Sequence, residues 1–481
     1  MKSLQSVFAA ALLLGAFALS SCSDEAPEGP VPSLGSVTIT KYVAIGNSLT
    51  AGMQSNGLYA SAQYYSVPRL ISLQLQLAGA PAMAFEQPLW ADPGSYGSDG
   101  KAARYEIISL VGPVIGPRGL NPGALTNTAL ARPYDNLGIP GEVLFDFLDT
   151  TNYTTKSIAR GNPFFAAVLR SNALGKSQFN QAKALSPNLV TFWLGNNDVL
   201  GFATSGGTSP NAPTNAGIFG VLYSQAIDSL LAGMPNAKIV VGNIPDVSVI
   251  PFFTTIGPKV KPLIPSGVTL RYQMHGETGV ATGSSNLTEA NPPLLCLTGS
   301  TYAPLLGQPT GKWYRDKGWT VLPAGIDTTK PFGFHPQNPW PDWLVLDPGE
   351  VATAQAATAA FNGAIAAKVA GNARITIADG NALLNDLKAH GYMTSGVKFT
   401  CDYVAGGFFS LDGVHPASRG NGIIANLFIK AINAKWGTNI PYVDVSAIPG
   451  IPAPVSKAGS DIPQIPYEAF KDLGMLWGTE F

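Results

Sequence analysis

Four short runs of the chain are apolar without interruption, and each ends in a glycine or turn residue followed by polar positions. They are KYVAI before Gly46-Asn47-Ser48, LVTFWLGNND at 189–198, KIVVGNIPD at 238–246 and ARITIADGNALL at 373–384. Runs that never alternate with polar residues suit strands covered on both faces, which predicts a parallel sheet with helices on each side. Helical periodicity fills the intervals. In DPGEVATAQAATAAFNGAIAAKVA, Asp347 can cap, Pro348 suits the first turn, Glu350 completes a capping box, and Phe361, Ile365 and Val369 share one face. A second helix is expected after HPASRG, where Ile424, Leu427, Phe428, Ala431 and Ile432 recur at helical spacing, and NLGIPGEVLFDFL at 136–148 reads as a turn opening into a helix.

Two stretches break this alternation. Residues 54–135 are rich in Gly, Pro, Asn and aromatics and read as an extended connection carrying short elements. Residues 247–346, with QMHGETG, NPPLLCLTG and FHPQNPWPDW, are too long for a simple loop and read as an insertion, a lid or a substrate-facing wall. The tail from Gly437 is Pro-rich and apolar enough to wrap against the body.

Composition narrows the class of protein. Charged residues are 12% of the 481, about half the usual share, and the 53 Gly and 39 Pro fit a loop-rich globular chain. A formal net charge of -1 without a Lys/Arg-rich run lacks the electrostatic footprint of a nucleic-acid binder, so no nucleic acid is expected as a partner.

The apolar run from Val7 to Leu19 follows Lys2 and is shorter than the ~20 residues a spanning helix needs, so residues 1–21 read as a signal peptide and 22–36 as a flexible linker. Leu19-Ser20-Ser21-Cys22 resembles the lipobox of bacterial lipoproteins, and Asp24 and Glu25 resemble the acidic export tag of surface lipoproteins in the Bacteroidetes. That resemblance implies lipidation of Cys22 and attachment to the outer membrane, facing the cell surface or, alternatively, the periplasm. Cys296 and Cys401 remain, either as a disulfide or as two buried free thiols. No C-x-x-C or H-E-x-x-H occurs and the four histidines are scattered, so neither a metal nor another cofactor is expected.

In open parallel sheets, chemistry gathers beyond the carboxyl ends of the strands. Four segments place polar residues there: Gly46-Asn47-Ser48, Gly138 to Gly141, Gly195 to Asp198, and SLDGVHP. Together, and in this order, they resemble the conserved blocks of the GDSL, or SGNH, hydrolases. The resemblance implies Ser48 as nucleophile, Asp412 and His415 as its D-x-x-H partners, and Gly141, Asn197 and the Ser48 N–H as oxyanion donors. A serine hydroxyl needs a neighbouring base to take its proton, a neutral imidazole suits that task, and a carboxylate three residues earlier can hold the ring's tautomer. One departure stands out: the family's usual Asp before the serine is Asn47 here, at a position that shapes the turn. His275, His335 and His390 match nothing in the family and are left as structural or substrate-facing.

The expected fold is therefore a three-layer α/β/α sandwich with a parallel, flavodoxin-like sheet of SGNH hydrolase type. It forms one domain over 37–481, with insertions at about 54–135 and 247–346. The expected activity is carboxylic ester hydrolysis through an acyl-enzyme, on a small-molecule, glycan or lipid ester, by a monomer. A deacetylase of acetylated polysaccharide is the alternative within enzymes, and an idle surface module that binds carbohydrate or lipid is the alternative outside them.

Overall fold

A computed structural model of the chain describes residues 31–82, 84–109, 113–208, 212–274, 282–394, 396–451 and 462–477. The signal peptide, Cys22 and His275 lie outside the described residues. The four apolar runs are strands β1 (Tyr42–Gly46), β2 (Leu189–Trp193), β3 (Lys238–Gly242) and β4 (Ile375–Ala378), joined as one parallel sheet in that order. Tyr42 pairs with Leu189, Leu189 with Lys238, and Ile375 with Ile239. Beyond β1, residues 135–139 run alongside it: Ala44 N donates to Asp135 O, Leu137 N to Ala44 O, and Ile139 N to Gly46 O. This segment holds the edge position outside β1, so the strand order follows the flavodoxin-like pattern.

The helices used below are α1 (Ser48–Ala51), α2 (Val67–Leu77), α3 (Gln178–Ala184), α4 (Asn197–Thr204), α5 (Ala216–Gly233), α6 (Pro348–Val369), α7 (Gly380–His390), α8 (Ser418–Trp436) and α9 (Tyr467–Trp477). Helices α2 and α8 pack together in one layer, while α5 and α6 pack together in the other with α3 beside them. The α6 capping box forms as its sequence predicts. Asp347 Oδ1 accepts from Gly349 N and Glu350 N, and Glu350 Oε2 accepts from Asp347 N at 2.7 Å. Phe361, Ile365 and Val369 are buried along one stripe, as are Ile424, Phe428 and Ile432 of α8.

Two expectations need correction. Segment 54–135 is more than a connection, because α2 within it supplies part of a covering layer; Ser66 caps it, Pro68 sits in its first turn, and Leu70, Ile71 and Leu75 are buried. The segment after Gly141 opens only into a 3-10 turn, Leu144–Phe147, within which Asp146 folds back to accept from Val143 N at 3.1 Å. The 247–346 insertion packs around the fully buried Trp340 and pairs Leu294–Leu295 with Val345–Leu346. The tail does wrap the body. Ile440, Val445 and Ile448 are buried, and α9 is fixed to the first insertion by Asp472, which accepts from Ser98 N at 2.6 Å and from Ser98 Oγ at 2.7 Å.

Candidate active site

Strand β1 delivers Ser48 to the carboxyl edge of the sheet. Asn47 caps α1 by accepting from Leu49 N at 3.2 Å, and Ser48 is the first helical residue, where backbone N–H groups have no intrahelical acceptor. Gly46 makes this corner fit, since any Cβ there would collide with the Thr50 side chain and the Trp193 carbonyl. The Ser48 side chain is buried.

Asp412 and His415 face each other across a tight turn closed by Ser410 N donating to His415 O. His415 Nδ1 lies 2.9 Å from Asp412 Oδ2. The same carboxylate accepts from Asn56 N, Val414 N, His415 N and Ser410 Oγ at 2.8–3.1 Å. Burial pushes its pKa up, but the adjacent His415 and these donors outweigh that, so Asp412 is held below the ordinary carboxylate range.

Asn197 opens α4 after β2, and its Nδ2 donates to the Glu142 carbonyl at 2.8 Å. That bond ties the Gly141-Glu142 corner to the end of the sheet. Gly141 has φ +76°, and a Cβ on it would strike the Leu476 carbonyl of α9, so this position requires glycine twice over. Behind the corner, Gln178 Nε2 of α3 donates to Gly46 O, Leu137 O and Glu142 Oε2 at 2.9, 2.6 and 2.7 Å. Burial, reinforced by Asp146, pushes the Glu142 carboxyl well above its ordinary range, against the pull of Lys156 and Arg160. Asp198 is pushed up to about 6 by burial, opposed by donors from Leu144 N at 2.9 Å and Thr214 Oγ1 at 2.8 Å.

Ser48, His415 and Asn197 line one cavity, whose other walls include Trp193, Leu200, Leu384, Phe408 and Leu427. It offers about 80 Å³ to the centres of water-sized groups, and its lining is overwhelmingly apolar. Gly141 instead lines a neighbouring, more polar cavity of about 410 Å³ with Arg160 and Thr214, and Asn197 stands between the two. Within the first cavity, His415 Nε2 is buried and has no hydrogen-bond partner among the described residues. No hydrogen bond joins it to Ser48, and catalytic contacts of this kind commonly tighten only when substrate binds.

Sequence reasoning missed three residues. Gln178 gives no signal beyond a helical position, and Glu142 only its place beside Gly141. Asn196 does carry one: GNND holds two asparagines, and the structure sends them different ways. Asn196 is a buried residue of the cavity wall, and neither of its carboxamide atoms has a hydrogen-bond partner among the described residues. Of the remaining candidates, His335 Nδ1 accepts from Gln337 N within a turn, and His390 is an exposed partner of Asp386. Cys296 and Cys401 do not form a disulfide. Each is a buried free thiol, Cys296 at a 3-10 turn of the second insertion and Cys401 just past the 392–399 hairpin. Burial raises both thiol pKa values, Cys401 to about 11, which keeps them protonated and unreactive. No group of three or more His, Cys, Asp or Glu side chains able to hold a metal ion occurs among the described residues.

A family model described as GDSL-like Lipase/Acylhydrolase matches residues 42–428, a span that begins at β1 and ends within α8. No curated protein and no solved structure matches the chain. With most of its length covered by that model, the chain belongs to the GDSL-like lipase/acylhydrolase family and is a hydrolase of esters.

Proposed function

We propose that this protein is a serine esterase that cleaves esters of apolar acyl groups through an acyl-enzyme on Ser48. The observation that carries the reading is the orphaned Nε2 of His415, buried in the same cavity as Ser48 while Nδ1 is fixed by Asp412. A buried polar atom without a partner calls for one, and the serine proton is the natural occupant.

In the reaction, His415 Nε2 takes the Ser48 hydroxyl proton as Oγ bonds to the carbonyl carbon. Charge on the carbonyl oxygen is met by the Ser48 N–H and the Asn197 carboxamide, which border the same cavity, whereas Gly141, expected as a third donor, lines the neighbouring cavity and shapes the corner that Asn197 braces through the Glu142 carbonyl. The imidazolium returns its proton to the leaving alcohol oxygen as the C–O bond breaks, and a water repeats the sequence to release the acid. Asp412, ionised and held by five donors, keeps the ring oriented. The Glu142 and Asp198 network holds the oxyanion corner without touching substrate.

The cavity favours an acyl chain over acetyl. Its walls are apolar, and each methylene placed against them contributes about 0.8 kcal/mol, or about fourfold in kcat/KM. Across p-nitrophenyl esters from acetyl to octanoyl, kcat/KM is therefore expected to rise with chain length. Leu427→Trp, which fills the cavity wall from α8, should lower octanoyl turnover relative to butanoyl by about tenfold or more. An optimum at acetyl would replace this reading with the polysaccharide deacetylase.

The sequence features before residue 36 support an exported, lipid-anchored enzyme at the outer membrane, with Cys22 as the acylated residue. Cys22→Ser is expected to move the protein from the membrane fraction to the soluble one. Unchanged fractionation would refute the anchor.

A further inference from the structure

Away from Ser48, the described residues form a larger groove of about 840 Å³ between the first insertion, the turn before Asp412 and the start of α8. It shares no lining residue with the Ser48 cavity. Its wall is rich in tyrosine: Tyr59, Tyr64, Tyr65 and Tyr105 line it, the first three set around the helical turn Ala60–Gln63. Tyr64 is 52% exposed, so its ring is presented to solvent and not spent on the core. Arg104 lies over the Tyr59 ring at 4.2 Å, and Tyr105 is fixed by its hydroxyl, which donates to Ala469 O at 2.5 Å. The aromatic wall is thus built before any ligand arrives, which lowers the cost of binding one.

The charges around these rings cancel. Arg104 Nη1 donates to Asp92 Oδ1 at 3.1 Å, Arg118 Nε donates to Glu106 Oε2, and Glu106 Oε1 stands 3.8 Å from Arg104 Nε. Two guanidiniums thus face two carboxylates, and all four side chains are partly exposed to solvent. An anionic ligand meets no uncommitted guanidinium here, and a hydrocarbon chain would strip water from charged groups without replacing it. What fits is a neutral molecule with an apolar face for a tyrosine ring and several hydroxyls for the charged forks. A pyranose has both. Its axial C–H bonds make one face apolar, and its adjacent hydroxyls pair with a guanidinium or a carboxylate two at a time.

We propose that this groove is a glycan-binding site for a neutral oligosaccharide segment, with a sugar ring stacked on Tyr64 and its hydroxyls held by Arg118 and Glu106. The site is separate from the catalytic cavity but tied to the turn that carries the catalytic acid. Ser55 and Leu411 line the groove, Ser55 N donates to Ser410 Oγ at 2.8 Å, and the next residue, Asn56, donates through its N–H to Asp412 Oδ2 at 2.8 Å. A polysaccharide held here lies against the back of the active-site turn, which keeps the protein on a polymer whichever ester Ser48 cleaves. Binding needs none of the catalytic groups, so the inference stands apart from the esterase reading.

The test is affinity electrophoresis of the full chain through gels containing amylopectin, xyloglucan, arabinoxylan, galactomannan or mixed-linkage β-glucan. At least one of these neutral polysaccharides should retard the protein, and Ser48→Ala should be retarded equally. Tyr64→Ala, which removes the stacking ring, and Arg118→Ala, which removes a guanidinium, should weaken that binding by about tenfold or more. Both side chains are exposed, so an unchanged thermal melt separates lost binding from lost fold. No retardation by any of the polysaccharides, or retardation kept by both variants, overturns the inference. Loss of retardation on Leu427→Trp, which fills the Ser48 cavity, would place the glycan in the catalytic site and overturn it as well.

Discussion

Ser48→Ala is expected to reduce ester hydrolysis by at least about 10⁴-fold with no change in fold, because the nucleophile is the one group whose loss leaves only oxyanion stabilisation and binding to act. Removing the hydroxyl costs little in stability: Ser48 caps nothing, its backbone geometry suits alanine, and α1 is capped by Asn47. A fluorophosphonate probe supplies the complementary measurement. It should add one adduct, mapped by mass spectrometry to Ser48, and none to the Ala variant. Labelling elsewhere, or turnover by the variant within tenfold of wild type, would sink the serine mechanism. A wild-type chain with neither labelling nor turnover would instead favour the idle binding module as the role of this fold.

Asp412→Asn should lower kcat by about 10⁴-fold, a larger effect than loss of any single oxyanion donor, which costs about 10² to 10³. The reason lies in the tautomer. Asp412 Oδ2 accepts from His415 Nδ1 at 2.9 Å, which leaves Nε2 without a proton and able to receive the one from Ser48. An amide nitrogen turned toward Nδ1 reverses that polarity and places the ring proton on Nε2. The Asn amide also faces donors from Asn56 N and Ser410 Oγ. Stability should fall as well, with a defined pH dependence. The folded-state pKa of Asp412 lies below its unfolded value, so its contribution is fully present above the unfolded pKa of about 3.9 and is lost as pH falls through the folded one. Thermal melts should therefore show a constant gap between wild type and variant from pH 7 to about pH 4, closing below it. A gap that widens in acid would contradict the assignment of Asp412 as an ionised, hydrogen-bonded carboxylate.

Much of the scaffold is legible because its signals are local. YVAIG, LVTFW, KIVVG and ITIA are strands at the positions their apolar runs mark, and Asp347 and Glu350 form the capping box their spacing predicts. The 54–135 segment is where pattern reading fell short. VPRLISLQLQL has helical periodicity, but it is surrounded by Gly, Pro and aromatic residues whose structure depends on distant partners. Its role as a sheet-covering helix follows from packing against α8, more than 340 residues later in the chain. Whether Cys296 and Cys401 pair was equally beyond reach, since two cysteines in a chain with an expected signal peptide fit a bridge and two buried thiols alike.

The sequence by itself determined the sheet, because strand, turn and cap preferences act over a few residues and survive in any context, while its resemblance to the GDSL hydrolases supplied Ser48, Gly141, Asn197, Asp412 and His415 as candidates. Only the tertiary structure decided which of these share a cavity and which polar atoms inside it lack partners. Asn196 and Asn197 are adjacent and chemically identical in the sequence, yet one amide holds the Glu142 carbonyl and the other is buried without a hydrogen-bond partner among the described residues. That difference arises from the direction in which the first turn of α4 points each side chain against the rest of the folded chain, which no local pattern encodes.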